Sequence, residues 1–180
     1  KLIGCNIALA HSAGALDWAS VAALMVKAMG KENVILVSNP SSLNTTSKTY
    51  VNHLEKKLGV EVIWQPIQEI VNKLQDIAPN GIWNEAAETA IHAVLRSVIG
   101  LADTHEFKSS IVATGYHTEI VLGWANFHDI GSIGAHAPLG DLTKVEIYEL
   151  ADALNQLFKD EVIPKDLYNN TFRPAAELPN

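Results

Sequence analysis

Short apolar runs alternate along this chain with longer amphipathic stretches, and turn residues close each pair. That pattern is the signature of βαβ units around a parallel sheet, because a buried strand needs only a few apolar residues while its return crossover needs a helix. Residues 6–10 (NIALA), 33–37 (NVILV), 60–64 and 110–114 read as the strands. Residues 17–29, 46–58, 66–74, 84–102 and 144–157 read as helices. Gly30 and Gly59 end the first two, and Thr143 caps the last. In the long helix over 84–102, Ala90, Val94, Leu95, Val98 and Leu101 form the apolar stripe expected to be buried. The longest irregular stretch, 124–142, carries glycines 131, 134 and 140. The expectation is an α/β fold with a parallel sheet of four to five strands and helices on both faces. Its functional crevice is expected at the carboxyl ends of the strands.

A chain of 180 residues holds one such domain, residues 1–180, with a sizeable core. It starts at Lys1, as a piece of a longer chain would, so the lack of a targeting segment carries no weight. A net charge of −7 and only two arginines, Arg96 and Arg173, disfavour a nucleic-acid partner, which selects basic surfaces. No apolar run reaches the length of a membrane span. The single cysteine, Cys5, excludes an internal disulfide and suits the cytoplasm or another reducing compartment.

The passage from the first strand to the first helix, LAHSAGALDWASVAAL, offers the clearest chemistry. A small-residue loop there can turn backbone N–H groups toward a phosphate, aided by the helix N-terminus, and Asp17 stands where it could hold a cation. An ordinary turn with an acidic first helical residue fits the same residues. His117, His128 and His136 with Asp129 lie in or near the irregular region, but without the short His-x₃-His spacing of a zinc site. No Gly-x-Ser-x-Gly elbow supports a hydrolase triad around Ser12.

Five segments in order resemble the NAD+ synthetase family of ATP-pyrophosphatases. They are the loop aligned on Asp17, Asn39-Pro40-Ser41, Thr114-Gly115-Tyr116-His117-Thr118-Glu119, Pro138-Leu139-Gly140-Asp141-Leu142-Thr143-Lys144, and Arg173-Pro174-Ala175-Ala176-Glu177-Leu178. The resemblance implies an ATP-dependent ligase that amidates deamido-NAD to NAD+ through an adenylate. Ammonia would be supplied directly or by a glutaminase domain, and the enzyme would be a homodimer. It further implies ATP and Mg²⁺ at the site. Asp17 and Glu119 would be the metal ligands, Lys144 would contact the phosphates, and Asp129 would lie at the nicotinate end. Ala13, Gly14, Ala15, Leu16, Asp17 and Trp18 would form the phosphate loop, Asn39, Pro40 and Ser41 would flank adenine, and Thr114 and Ala175 would complete the nucleotide site.

The phosphate loop is degenerate. Ala13-Gly14-Ala15-Leu16-Asp17-Trp18 lacks both serines and one glycine of the family pattern, and the Trp18 indole stands where a small hydroxyl is usual. The expectation is that this ring intrudes on the pyrophosphate volume. Two alternatives follow: a catalytically silent relative serving as a scaffold, partner-binding or regulatory domain, and an ATP-pyrophosphatase-type ligase acting on another acid.

Overall fold

A computed structural model describes residues 8–12, 15–41, 47–78, 83–123 and 133–168. Its centre is a four-stranded parallel sheet of β1 (Ala8–Ser12), β2 (Val34–Ser38), β3 (Val62–Trp64) and β4 (Ser110–Ile111), ordered β3-β2-β1-β4. The register is continuous from Ala8↔Val34 to Ser12↔Ser38 and from Leu36↔Val62 to Ser38↔Trp64, while Leu9 pairs with Ile111. Beyond β4 the chain pairs once more: Ala135 N–H donates to the Ile111 carbonyl, and Ala113 N–H to that of His136. Gly134 permits this approach, because a Cβ there would lie 2.8 Å from both Ala113 N and Ile111 O.

The strands are apolar on both faces because helices cover both. Val34 and Leu36 belong to one core cluster. Val37, with partly buried Ile35, belongs to another that includes Ile111 and Phe107. This alternation is the two-residue period of a strand buried on both sides. Helices α1 (Leu16–Met29), α2 (Ser47–Leu58) and α6 (Lys144–Phe158) share the first cluster. Helix α3 (Gln68–Ile77) packs on α4 (Glu85–Glu106), which contacts β1 and β4. Right-handed crossovers explain the division. The steps β1→β2→β3 run one way along the sheet, and the return to β4 beside β1 must cross on the opposite face. The order therefore reverses between β1 and β4, and their carboxyl ends open the crevice where doubly wound sheets bind ligands.

Most expected elements are present with shifted ends. The first strand runs to Ser12, two residues beyond its expected end, and the fourth is the two residues Ser110–Ile111. A short helix, α5 (His117–Val121), was not expected. Helix α1 ends at Gly30, whose φ of 86° is costly for any residue with a Cβ and whose N–H closes on the Val26 carbonyl.

The expected buried stripe of α4 is a correction. Val94, Val98 and Leu101 are exposed, whereas His92, Ser97 and Asp103 are buried against the sheet. Part of that inward side is polar because it meets polar groups of the loops that follow β2 and β3. There Gln65 Nε2 donates to Asp103 Oδ1 at 3.1 Å, and Arg96 Nε reaches the Asn39 carbonyl at 3.4 Å.

Candidate functional site

Helix α6 begins with a complete capping box. Thr143 Oγ1 accepts from Glu146 N–H, and the Glu146 carboxylate accepts from Thr143 N–H at 2.7 Å. The Thr143 N–H and then the Thr143 hydroxyl, which also donates to that carboxylate at 2.7 Å, hold the Glu146 carboxyl below its ordinary range. The same helix start is tied to α5, because Lys144 N–H donates to Thr118 Oγ1 at 3.1 Å and His117 N–H to the Leu142 carbonyl at 2.9 Å. Two segments that follow β4 are thereby fixed to each other, and α6 in turn packs on α1.

Tyr116 lies at the centre of this junction, 6% exposed. Its hydroxyl donates to the Glu119 carboxylate, and Asp17, buried in the first turn of α1, is close enough to act on the phenol. Burial comes first, then the charges of Glu119 and Asp17; together they push the Tyr116 phenol well above its usual range. The Lys144 ammonium sits over the Tyr116 ring, 4.6 Å from its centroid, and 5.9 Å from that of Tyr148. A cation in the first turn of a helix is opposed by the dipole by about 0.3–1 kcal/mol. A face-on aromatic contact of about 0.5–2 kcal/mol offsets that cost.

The structure thus gathers Asp17, Glu119 and Lys144 around one tyrosine, although 127 positions separate Asp17 from Lys144 (144 − 17). Thr114, also buried, lies three residues beyond Ile111 as Ser12, the last residue of β1, lies three beyond Leu9, so both stand at the carboxyl ends of the strands flanking the switch point. Asn39, Pro40 and Ser41 directly follow Ser38, whose partner on the neighbouring strand β1 is Ser12. The Asn39 side chain is buried there and braces the loop, with Nδ2 donating to the Gln65 carbonyl at 3.3 Å and to Gln65 Oε1 at 3.2 Å. Pro40 contributes its carbonyl to Ile67 N–H.

Trp18 requires a correction. Its side chain is 0% exposed and belongs to the same apolar cluster as Val21, Ala22, Leu139 and Ile147. Helix α1 is enclosed between the sheet and α6, so a side chain leaving its first turn sideways enters that layer. Leu16 is likewise buried, which leaves its backbone as the part available to a ligand. Ala15 precedes the helix with extended backbone (φ −79°, ψ 170°). Ala13, Gly14, Asp129 and Ala175 lie outside the described residues.

The NAD synthase family model matches residues 7–180. The chain belongs to the NAD synthase family. Among its relatives, the glutamine-dependent NAD(+) synthetase of Synechocystis sp. is 29% identical over 97% of this chain and 31% of its own length. The NH(3)-dependent NAD(+) synthetase of Archaeoglobus fulgidus is 27% identical over 92% of this chain and 63% of its own length. A structure of the glutamine-dependent NAD+ synthetase from Acinetobacter baumannii in complex with ADP superposes with a TM-score of 0.86. It is 25% identical, covering 94% of this chain and 33% of that one. This NAD synthase domain therefore spans about a third of the length of those glutamine-dependent relatives.

Reasoning from sequence named the three charged residues but missed the aromatic frame that seats them. Lys144 and Tyr148 are four apart on one helix, a spacing that places side chains on a common face and that could have revealed the frame. Tyr168, whose ring stacks on Tyr148 at 6.4 Å and 18°, had no such local signal.

Proposed function

We propose that this domain amidates deamido-NAD to NAD+ in two steps. A nicotinate carboxylate oxygen attacks the α-phosphorus of ATP and pyrophosphate leaves. Ammonia then attacks the resulting acyl adenylate, loses a proton and expels AMP. The observation that carries this reading is the convergence of Asp17, Glu119 and Lys144 on Tyr116 at the switch point of a NAD synthase-family sheet.

The donor set suits Mg²⁺. No group of three or more metal-binding side chains occurs among the described residues, and Mg²⁺ bound with a nucleotide characteristically takes one or two carboxylates plus phosphate oxygens. Asp17 and Glu119 would hold the ion, which when bound neutralises phosphate charge. Lys144 would meet the phosphates as a point charge, and Asn39 to Ser41 would shape the adenine side. The Ala13–Ala15 backbone would approach the pyrophosphate, Thr114 and Ala175 would close the nucleotide site, and Asp129 would serve the nicotinate end.

Ammonia would arrive directly or from a glutaminase domain, and the domain would work in a reducing compartment such as the cytoplasm. We also assign a second copy of this chain to the exposed apolar stripe of α4, giving a homodimer. Trp18, packed in the core, supports the catalytic reading over a silent relative, whose case drew on that ring obstructing the loop.

Isothermal titration with Mg-ATP, followed by assay of deamido-NAD and ammonium for NAD+ formation, tests the proposal. Saturable binding that Asp17→Asn and Glu119→Gln each weaken at least tenfold is expected, since each removes a charged ligand. No heat with millimolar Mg-ATP would sink it.

A further inference from the structure

Resting on the nucleotide reading above, we propose that Tyr116 is a positioning residue that holds Lys144 and Glu119 apart, so that one faces phosphate and the other the metal. Its ring face carries the ammonium and its hydroxyl carries the carboxylate. An ammonium and a carboxylate in a half-buried site attract strongly, and direct contact would cancel the charge each needs for its ligand. A buried phenol between them prevents the collapse while giving each a partner. The frame is rigid on the far side as well. Lys144 also faces Tyr148, which stacks on Tyr168, and the Tyr168 hydroxyl donates to Asp152 Oδ1 at 2.8 Å and accepts from Asn155 Nδ2 at 3.2 Å.

Two substitutions separate the two halves of the role. Tyr116→Phe keeps the ring and removes the hydroxyl; Tyr116→Leu removes both. ATP affinity is measured calorimetrically in Mg²⁺ and in EDTA. The Lys144 signal is followed by NMR after ¹³C-reductive methylation, which keeps the charge, and is assigned with Lys144→Arg. In the parent protein the Lys144 methyl resonance should be shifted upfield by the ring. Tyr116→Phe should retain that shift and lose about tenfold in affinity for ATP with Mg²⁺ but nothing in EDTA, because only the metal ligand is released. Tyr116→Leu should move the resonance toward the position of solvated lysines and lose about tenfold in both conditions. An unshifted Lys144 signal in the parent, equal Mg-ATP affinity in all three proteins, or equal loss by Tyr116→Phe with and without Mg²⁺ would overturn the proposal. A parent that binds no ATP in either condition removes the nucleotide reading itself, and with it any positioning of Lys144 and Glu119 for a metal-bound phosphate. Because Tyr116→Phe preserves the buried ring, the magnesium comparison remains decisive even if Tyr116→Leu fails to fold.

Discussion

Trp18 takes up a volume that no smaller residue at its position would fill. It is fully buried on α1 among Val21, Ala22, Leu139 and Ile147, with alanines 19, 22 and 23 leaving the space beside it. Truncating a buried tryptophan leaves a cavity that the close-packed surroundings fill only in part. Trp18→Ala should therefore cost about 3–5 kcal/mol, read as a lowered urea midpoint with an unchanged slope. The folded variant, measured at a temperature where it is fully native, should bind Mg-ATP with nearly the affinity of the parent. A gain in affinity without loss of stability would mean that the indole obstructs the loop after all. Asp17, one position earlier, leaves the helix about 100° around its axis, near enough to Tyr116 for its charge to act on the phenol. Adjacent residues thus face different surroundings, and only the helical geometry tells them apart.

Helix α6 shows how a local device aligns a distant side chain. Its capping box needs only Thr143 and Glu146, three positions apart, and once formed it sets where Lys144 emerges. Thr143→Ala should destabilise the protein by about 0.5–2 kcal/mol. The pH dependence follows from Glu146, whose folded-state carboxyl lies below its ordinary value because it accepts from Thr143. A group depressed on folding stabilises above its unfolded pKa, and that contribution disappears as pH falls through the folded value. The gap in urea midpoint between the parent and Glu146→Gln should be full at neutral pH. It should narrow below the ordinary glutamate range and close at still lower pH. A gap constant from neutral to acid would show that the carboxylate charge adds nothing to the cap. Asn155 secures the other end, accepting from Ile163 N–H and donating to its carbonyl at 2.8 Å each, which brings Tyr168 back against Tyr148.

For the molecule as a whole, the exposed side of α4 is where the proposed homodimer is tested. Val98 and Leu101 are 58% and 50% exposed and share a face with Val94, so a second copy covering them would gain apolar burial. Val98→Lys with Leu101→Lys should convert a dimer into a monomer in sedimentation equilibrium, with the fold retained by circular dichroism. A parent already monomeric at tens of micromolar would remove the assignment. No helix among the described residues is long and apolar enough to cross a membrane, so the stripe is not a span. The sequence by itself determined the parallel α/β class, the alternation of elements, and the caps at Gly30 and Thr143. All of these rest on periodicity or on contacts within a few residues. It also named Asp17, Glu119 and Lys144 as candidates through motif order. Tertiary structure alone decided which face of α4 is inward, because an apolar stripe signals burial without saying whether the chain or a partner provides it. It alone placed Trp18 in the core and Tyr116 between opposite charges. Those outcomes depend on which strands neighbour one another, and the reversal of order between β1 and β4 brings together residues that share no local pattern.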